Sequence, residues 1–361
     1  MLNIEELKQY ARLHVRTHSF TKIDPLDILN NIHLPPCEVP TKGAWDQQWV
    51  TAAERCLKEG SMEDAIQCFN FARFPYPHTE QQKAASKELS IVFERTYAKD
   101  NIRKHTFQAH GKPFSVYTSN LHLNQPCLLV IGGIVSVKEQ WKVFLKVGKK
   151  LGFSVIIMEC PGVGENRTVY DNASHRMLGQ VLDTFSSLAN VNHTYIVGMS
   201  FGGHLAIKQA LEDTRVKGIT TVGAPLHYFF KEYSEKHVPF ITQLTLSHVL
   251  EKNLEDVSRT LTSYAISPEE LRNLRIPLTY VFSRRDEIIP TNDKEFLLEN
   301  GQNITFYEFD DVHGSPNHLD LIQKIVPLSL LKQSGSKKNV IRLGLAFILF
   351  LTKWKKRWGK Q

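Results

Sequence analysis

Three residues of this 361-residue chain have types and spacing suited to acyl chemistry: Ser200, Asp286 and His313. Ser200 stands in Gly198-Met-Ser-Phe-Gly202, a G-x-S-x-G frame between the apolar run 195–197 and the helix-compatible stretch 204–211. A serine in such a frame sits at a sharp strand-to-helix corner, where side chains two residues before or after it would collide, so glycine is needed at both places. The hydroxyl is a weak nucleophile until a base accepts its proton and a carboxylate orients that base. Chains built on this corner supply the partners in the order serine, acid, histidine, each in a loop after a later strand. Asp286 lies in Phe282-Ser-Arg-Arg-Asp-Glu-Ile-Ile-Pro290, after one apolar run, and His313 in Asp310-Asp-Val-His-Gly314, after the last. The order and spacing predict a Ser200–His313–Asp286 triad. Glu287 is a rival acid, but Asp286 is better placed at the first turn after the strand. His318 is a rival base, but it falls five residues further on, in the closing helix. His204 abuts the corner from within the helix, a position for support.

A tetrahedral intermediate needs two N–H donors aimed at its oxyanion. The backbone of Phe201, directly after the serine, is the first. The second is expected from a loop after an earlier strand, and Leu128-Leu-Val-Ile-Gly-Gly-Ile134 is such a strand and loop, with Gly133 or Ile134 as donor. Such chemistry calls for no cofactor and no metal.

The elements that must position these groups follow from periodicity. Residues 1–100 read as helices joined by Pro-rich turns. Trp45, Trp49, Ala53 and Cys56 recur at helical spacing, Ser61 with Asp64 resembles a helix start, and a third helix runs over about 79–98. No second copy repeats at a fixed period, and one helical pair cannot bury its own face, so this region is expected to pack on the domain that follows. From about residue 101 the apolar runs 114–118, 127–131, 154–158, 194–198, 218–222, 278–282 and 304–309 alternate with helical stretches, notably 137–151, 173–188 and 201–211. Near-continuous apolar runs of this kind predict an α/β domain over 101–333, with a mostly parallel sheet covered by helices on both faces. Between 225 and 275 the alternation lapses into a helical, aromatic-rich insertion with Tyr228, Phe229, Phe230, Tyr233 and Phe240, placed to wall a pocket.

Composition narrows the setting. The five cysteines, Cys37, Cys56, Cys68, Cys127 and Cys160, are scattered and odd in number, as in reduced cytoplasmic proteins. The N-terminus lacks the charge and apolar pattern of an export signal, so a cytoplasmic location is expected. The formal charge is +7, but residues 334–361 hold eight of the 44 basic residues and no acid, which leaves 36 basic against 37 acidic residues elsewhere. The near-neutral body argues against nucleic-acid binding. The tail passes through the polar linker 332–338 into an apolar run, 340–351, and then Lys353-Trp-Lys-Lys-Arg-Trp358. Twelve residues make a helix of roughly 18 Å, too short to span a bilayer of ~30 Å. Residues 340–358 are instead suited to peripheral contact with an anionic membrane, or to docking on the body or on a second subunit as in a dimer.

Taken together, Ile131-Gly-Gly-Ile-Val-Ser-Val-Lys-Glu139, Glu159-Cys-Pro-Gly-Val-Gly164, Gly198-Met-Ser-Phe-Gly-Gly203, Asp286 and His313 resemble one branch of the α/β-hydrolase superfamily. The branch holds the fermentation/respiration switch protein (esterase) group, the pseudooxynicotine-type hydrolases and the fungal polyketide-shortening hydrolases, and the resemblance covers about residues 50–330. It implies an α/β-hydrolase fold, a helical N-terminal cap over the site and a serine hydrolase acting on a small acyl substrate. Some members cleave carbon–carbon bonds beside a carbonyl, and in those a carboxylate is expected shortly after the Gly-Gly pair. Val135 stands there in this chain, and Glu139 lies further along, so ester or thioester chemistry is expected. Glu159 replaces the usual aspartate before Pro161, a difference in loop shape. The alternatives are carbon–carbon hydrolysis or cyclisation of a polyketide-like substrate, or a non-catalytic regulatory protein on the same fold.

Overall fold

The computed structural model describes residues 3–109 and 111–358, with side chains to residue 352. Eight strands form one sheet: β1 (Arg103–Ala109), β2 (Lys112–Ser119), β3 (Pro126–Ile131), β4 (Ser154–Met158), β5 (Asn190–Met199), β6 (Val216–Val222), β7 (Leu278–Ser283) and β8 (Ile304–Phe309). Their order is β1-β2-β4-β3-β5-β6-β7-β8, with β1–β2 and β2–β4 antiparallel and every other pair parallel. The apolar runs mark seven of these strands. The eighth, β1, opens Arg-Lys-His-Thr and lies half-exposed at the edge, where no continuous apolar run is required. Every residue of β4 and β7 is buried, which requires cover on both faces of the sheet.

The helices fall into groups. In the N-terminal region lie α1 (Ile4–Val15), α2 (Pro25–Asn30), α3 (Trp45–Lys58), α4 (Met62–Ala72) and α5 (Glu80–Thr96). Around the sheet pack α6 (Lys142–Leu151), α7 (Arg176–Thr184) and α8 (Phe201–Glu212). The insertion after β6 forms α9 (Tyr228–Lys231), α10 (Phe240–Leu250), α11 (Leu254–Leu261) and α12 (Pro268–Asn273), and α13 (Thr291–Asn300), α14 (Leu319–Gln333) and α15 (Asn339–Trp358) follow. The helix expected over 137–151 splits into a 3-10 turn, Lys138–Trp141, and α6.

Helices α3 to α5 bury Trp45, Trp49, Phe71 and Phe93 in a core continuous with that of the sheet. Trp49 stacks on Phe71 at 4.9 Å, and the Trp45 indole donates to the Phe71 carbonyl at 2.7 Å. Ser61 heads α4, but Asp64 does not complete a capping box. Its carboxylate accepts the Thr21 and Lys22 amides at 2.8 and 2.7 Å and fastens the chain ahead of α2. The insertion is fixed at its root by Asp293 of α13, which accepts the amides of Leu226, His227 and Tyr228 at 2.9, 2.9 and 2.6 Å. Helix α1 bridges the two regions. Glu6 accepts the Ile241 amide of α10 at 2.9 Å, and Arg16 donates to Asn317, just beyond β8, at 2.6 Å.

The sheet has its topological switch at β3, which is flanked by β4 on one side and β5 on the other. Loops leaving the carboxyl ends of β3 and β5 therefore diverge and leave a crevice between them. The Gly132-Gly133 loop and the Ser200 corner are those two loops.

Candidate active site

Strand β5 ends at Met199 and α8 begins at Phe201, so Ser200 alone makes the corner, with φ 51° and ψ −126°. A non-glycine residue held at positive φ is strained and persists only where its surroundings impose it. Here the Ser200 amide donates to the Val222 carbonyl of β6 at 2.8 Å, and its carbonyl accepts from Gly203 at 2.8 Å. A Cβ on Gly198 would stand 2.6 Å from the Gly202 carbonyl oxygen, and one on Gly202 would stand 2.4 Å from that of Gly132. Both glycines of the frame are thus required for space, as the spacing predicts.

The loops after β7 and β8 bring Asp286 and His313 to the same corner. His313 Nε2 lies 2.9 Å from Ser200 Oγ, and His313 Nδ1 lies 2.9 and 3.0 Å from the two Asp286 oxygens. Asp286 is aimed by the amides of Ile288 and Ile289, which donate to Oδ1 at 3.0 and 2.9 Å. Burial pulls the His313 imidazole down, but the charge and hydrogen bond of Asp286, joined by the charge of Glu287, outweigh it and leave the pKa raised. The imidazolium is thereby favoured relative to that of a free histidine.

The rival residues have other partners. Glu287 accepts the backbone amide of His313 at 3.0 Å, so it fixes the loop rather than the imidazole. His318 donates through Nδ1 to Asp311 at 2.8 Å and stacks on Phe309 at 4.7 Å. His204 is buried between the Tyr264 carbonyl at 2.9 Å and the Tyr170 hydroxyl at 3.2 Å, and burial lowers it to about 3, which keeps it neutral.

Gly133 faces the corner: a Cβ there would lie 3.0 Å from Ser200 Cβ and 3.5 Å from Oγ. Phe201 opens α8, and an amide in the first helical turn has no acceptor within its own helix. Gly133 thus lies against Ser200, which Phe201 follows directly, and Gly133 and Ile134 share one loop. Their loop is held from behind. Ser136 donates to the Gly133 carbonyl at 3.1 Å, and Arg73, at the end of α4, donates through Nη2 to the Val135 carbonyl at 2.6 Å. The rest of the Arg73 guanidinium binds Asn70 Oδ1 at 3.0 and 2.7 Å and the Pro75 carbonyl at 3.2 Å. Beside this loop, Lys138 is wholly buried with Glu139, Glu159 and Glu165 at 3.2, 3.4 and 2.7 Å. Glu159 also accepts the amides of Lys138 and Glu165 at 3.2 and 3.0 Å, which makes it the pin between the loops after β3 and β4. Burial depresses the lysine, yet the three carboxylates outweigh it and keep it charged.

The first helix contributes residues that periodicity alone does not single out. Tyr10 and His14 of α1 pack against Phe74 at ring separations of 5.8 and 5.1 Å, and the Tyr10 side chain feels the charges of Glu287 and Asp286. Burial lowers His14 to about 3, with further contributions from His18, His313 and Arg73, so its imidazole is neutral. His14 and His18 stand one turn apart, a spacing that can suit a metal, but no group of three metal-ligating side chains gathers among the described residues. His18 instead contacts Gln140 at 2.6 Å and Asn70 at 3.1 Å and ties α1 to the loop after β3. The four-residue spacing of His14, near the end of α1, and His18, just beyond it, is the signal by which this element could have been found.

Known proteins share this architecture. The structure of wild-type AbyA5 is 31% identical, with a TM-score of 0.91 over 97% of this chain and 100% of that one. The crystal structure of the 2,6-dihydroxy-pseudo-oxynicotine hydrolase superposes with a TM-score of 0.67 at 18% identity, over 85% of this chain and 91% of that one. Esterase FrsA of Vibrio cholerae serotype O1 is 22% identical over 325 residues, 81% of this chain and 75% of its own length. The profile of the Esterase FrsA-like family matches residues 39–307, so the chain belongs to that family and is an α/β-hydrolase enzyme.

Proposed function

We propose that this enzyme is a serine hydrolase that cleaves an ester or thioester of a small acyl substrate through an acyl-enzyme intermediate. The observation that carries the reading is the unbroken hydrogen-bonded line from Asp286 through His313 to Ser200, at 2.9 Å on each side of the imidazole. Ser200 Oγ attacks the acyl carbonyl as His313 Nε2 takes its proton, and Asp286 fixes the tautomer and balances the imidazolium. The oxyanion is held by the amide of Phe201 and that of Gly133 or Ile134. His313 then protonates the leaving group, and water, activated by the same nitrogen, releases the acyl group. The loop after β3 supports acyl over carbon–carbon cleavage, because Val135, buried and apolar, stands where a carboxylate would be wanted.

Fluorophosphonate labelling is the test. Wild type is expected to label at Ser200, and Ser200→Ala is expected not to label and to lose ester hydrolysis. Labelling that persists in Ser200→Ala would overturn the assignment.

A further inference from the structure

The C-terminal helix presents an apolar face that the catalytic chemistry does not use. Helix α15 docks on α14 through one side only: Leu349 is buried, and Leu345 and Ala346 are half-buried against the core. The remaining side carries Val340, Leu343, Phe347 and Phe350, which are 85, 66, 61 and 63% exposed, with Ile341, Ile348 and Leu351 beside them. Of the fifteen exposed large hydrophobic residues described in the protein, seven fall within these twelve positions. Such concentration makes a contiguous patch, and patches of this kind mark contact surfaces. No helix among the described residues is long and apolar enough to cross a membrane.

The surroundings of the patch are basic. Lys338, at the start of the helix, donates to the Lys150 carbonyl at the end of α6, where Lys149 and Lys150 are exposed. The sequence adds Lys353, Lys355, Lys356, Arg357 and Lys360 beyond the patch, and residues 334–361 contain no acid. The side chains of Trp354 and Trp358 lie outside the described residues. Apolar residues on one face with cations at both ends match a lipid surface that carries negative headgroups over a hydrocarbon layer. A second copy fits less well. Pairing two α15 faces in either direction would set one cationic end against another, with no acid in the segment to offset it.

We infer that α15 is an interfacial anchor: its outward face lies shallowly in an anionic membrane while its inner face stays clamped to α14. The body is thereby held at the lipid surface. Docking is driven by the apolar face and selected by the lysines, each worth roughly fivefold in partitioning near an anionic surface.

The test uses the full chain and vesicles of phosphatidylcholine with or without about 30% phosphatidylserine, an anionic content that lies in the range giving a marked surface potential. Wild type is expected to co-sediment at least tenfold more with the anionic vesicles, and to be released by high salt. The exposed-face variant Leu343→Ser/Phe347→Ser/Phe350→Ser is expected to lose binding while keeping its melting temperature and fluorophosphonate labelling. Lys149→Gln/Lys150→Gln should weaken binding by roughly tenfold or more. Absence of wild-type binding, or equal binding by the serine variant, overturns the anchor. A wild-type dimer in sedimentation velocity that the serine variant dissolves, without vesicle binding, assigns the face to a second copy and overturns it as well.

Discussion

Arg73 gives the sharpest test of how the N-terminal helices serve the proposed chemistry. Its guanidinium is buried and, among the described residues, bonds the Val135 and Pro75 carbonyls and Asn70 rather than a carboxylate. Burial draws its pKa down to about 10, against the pull of Glu159 and Glu139, so it remains a cation at neutral pH. In Arg73→Met, the Val135 carbonyl loses a donor at 2.6 Å and the loop carrying Gly133 and Ile134 is released from α4. A buried acceptor left unpaired costs about 1–3 kcal/mol, so melting should fall. Loss of one oxyanion donor costs about 2.7–4 kcal/mol in the transition state, equivalent to about 10²–10³ in kcat. Partial misplacement of the loop should therefore lower kcat by about 10- to 10³-fold, while KM changes by less than about threefold. Arg73→Lys keeps the charge but loses the fork, and should fall between the two. The assay is steady-state hydrolysis of a chromogenic ester, with fluorophosphonate inactivation rates and melting curves on the same preparations. A kcat within about twofold of wild type, alongside a clear loss of melting temperature, would refute the positioning role and leave Arg73 as a brace of the N-terminal helices.

Two further outcomes follow from the electrostatics. Because Asp286 holds the imidazolium of His313 and the charge of Glu287 adds to it, the proposed base is lost as pH falls through a pKa above the ordinary value of about 6.5. The kcat/KM profile should thus rise with pH to a midpoint above that value, and a midpoint at or below it counts against the coupling. The same pairing stabilises the fold fully below the unfolded-state pKa and is lost as pH rises through the folded one. Lys138→Met leaves Glu139, Glu159 and Glu165 facing one another without their buried cation. It should destabilise the protein by about 3–5 kcal/mol at neutral pH in urea unfolding, with partial relief in acid. A loss under about 1 kcal/mol would show that the cluster is hydrated or rearranged.

The line of Ser200, His313 and Asp286 is legible in the sequence because Ser200 and Asp286 follow buried parallel strands, which are written as apolar runs, while His313 follows the edge strand β8, whose apolar residues are interrupted by Thr305 and Glu308. The corner glycines at 198 and 202 add a steric requirement that few other residue patterns share. Strand β1 is hidden because an edge needs no apolar run, and Arg103-Lys-His-Thr reads as a loop. The N-terminal residues are hidden for a different reason. Arg73, Tyr10 and His14 acquire their roles from Val135, Phe74 and the loops after β7 and β8, none of them local in the chain. Periodicity reports which face of a helix is apolar, but not which distant loop that face will meet. Glu159 illustrates the same limit: in sequence it is one carboxylate in place of another, whereas in the fold it is fully enclosed and bonded to two amides and a lysine.

The bridge made by α1 also bears on the order in which the molecule can be completed. Glu6 meets its partner 235 residues later and Arg16 meets its own 301 residues later. Chains are synthesised from the amino end, so α1 emerges long before the surfaces that it is to cover exist. Contacts of such sequence separation are slow to close, since a large loop must be ordered first. A nascent chain can thus assemble much of its sheet while the face of α10 that α1 meets is still open. Closure of that face then comes as a late step, after residues 241 and 317 have joined the chain.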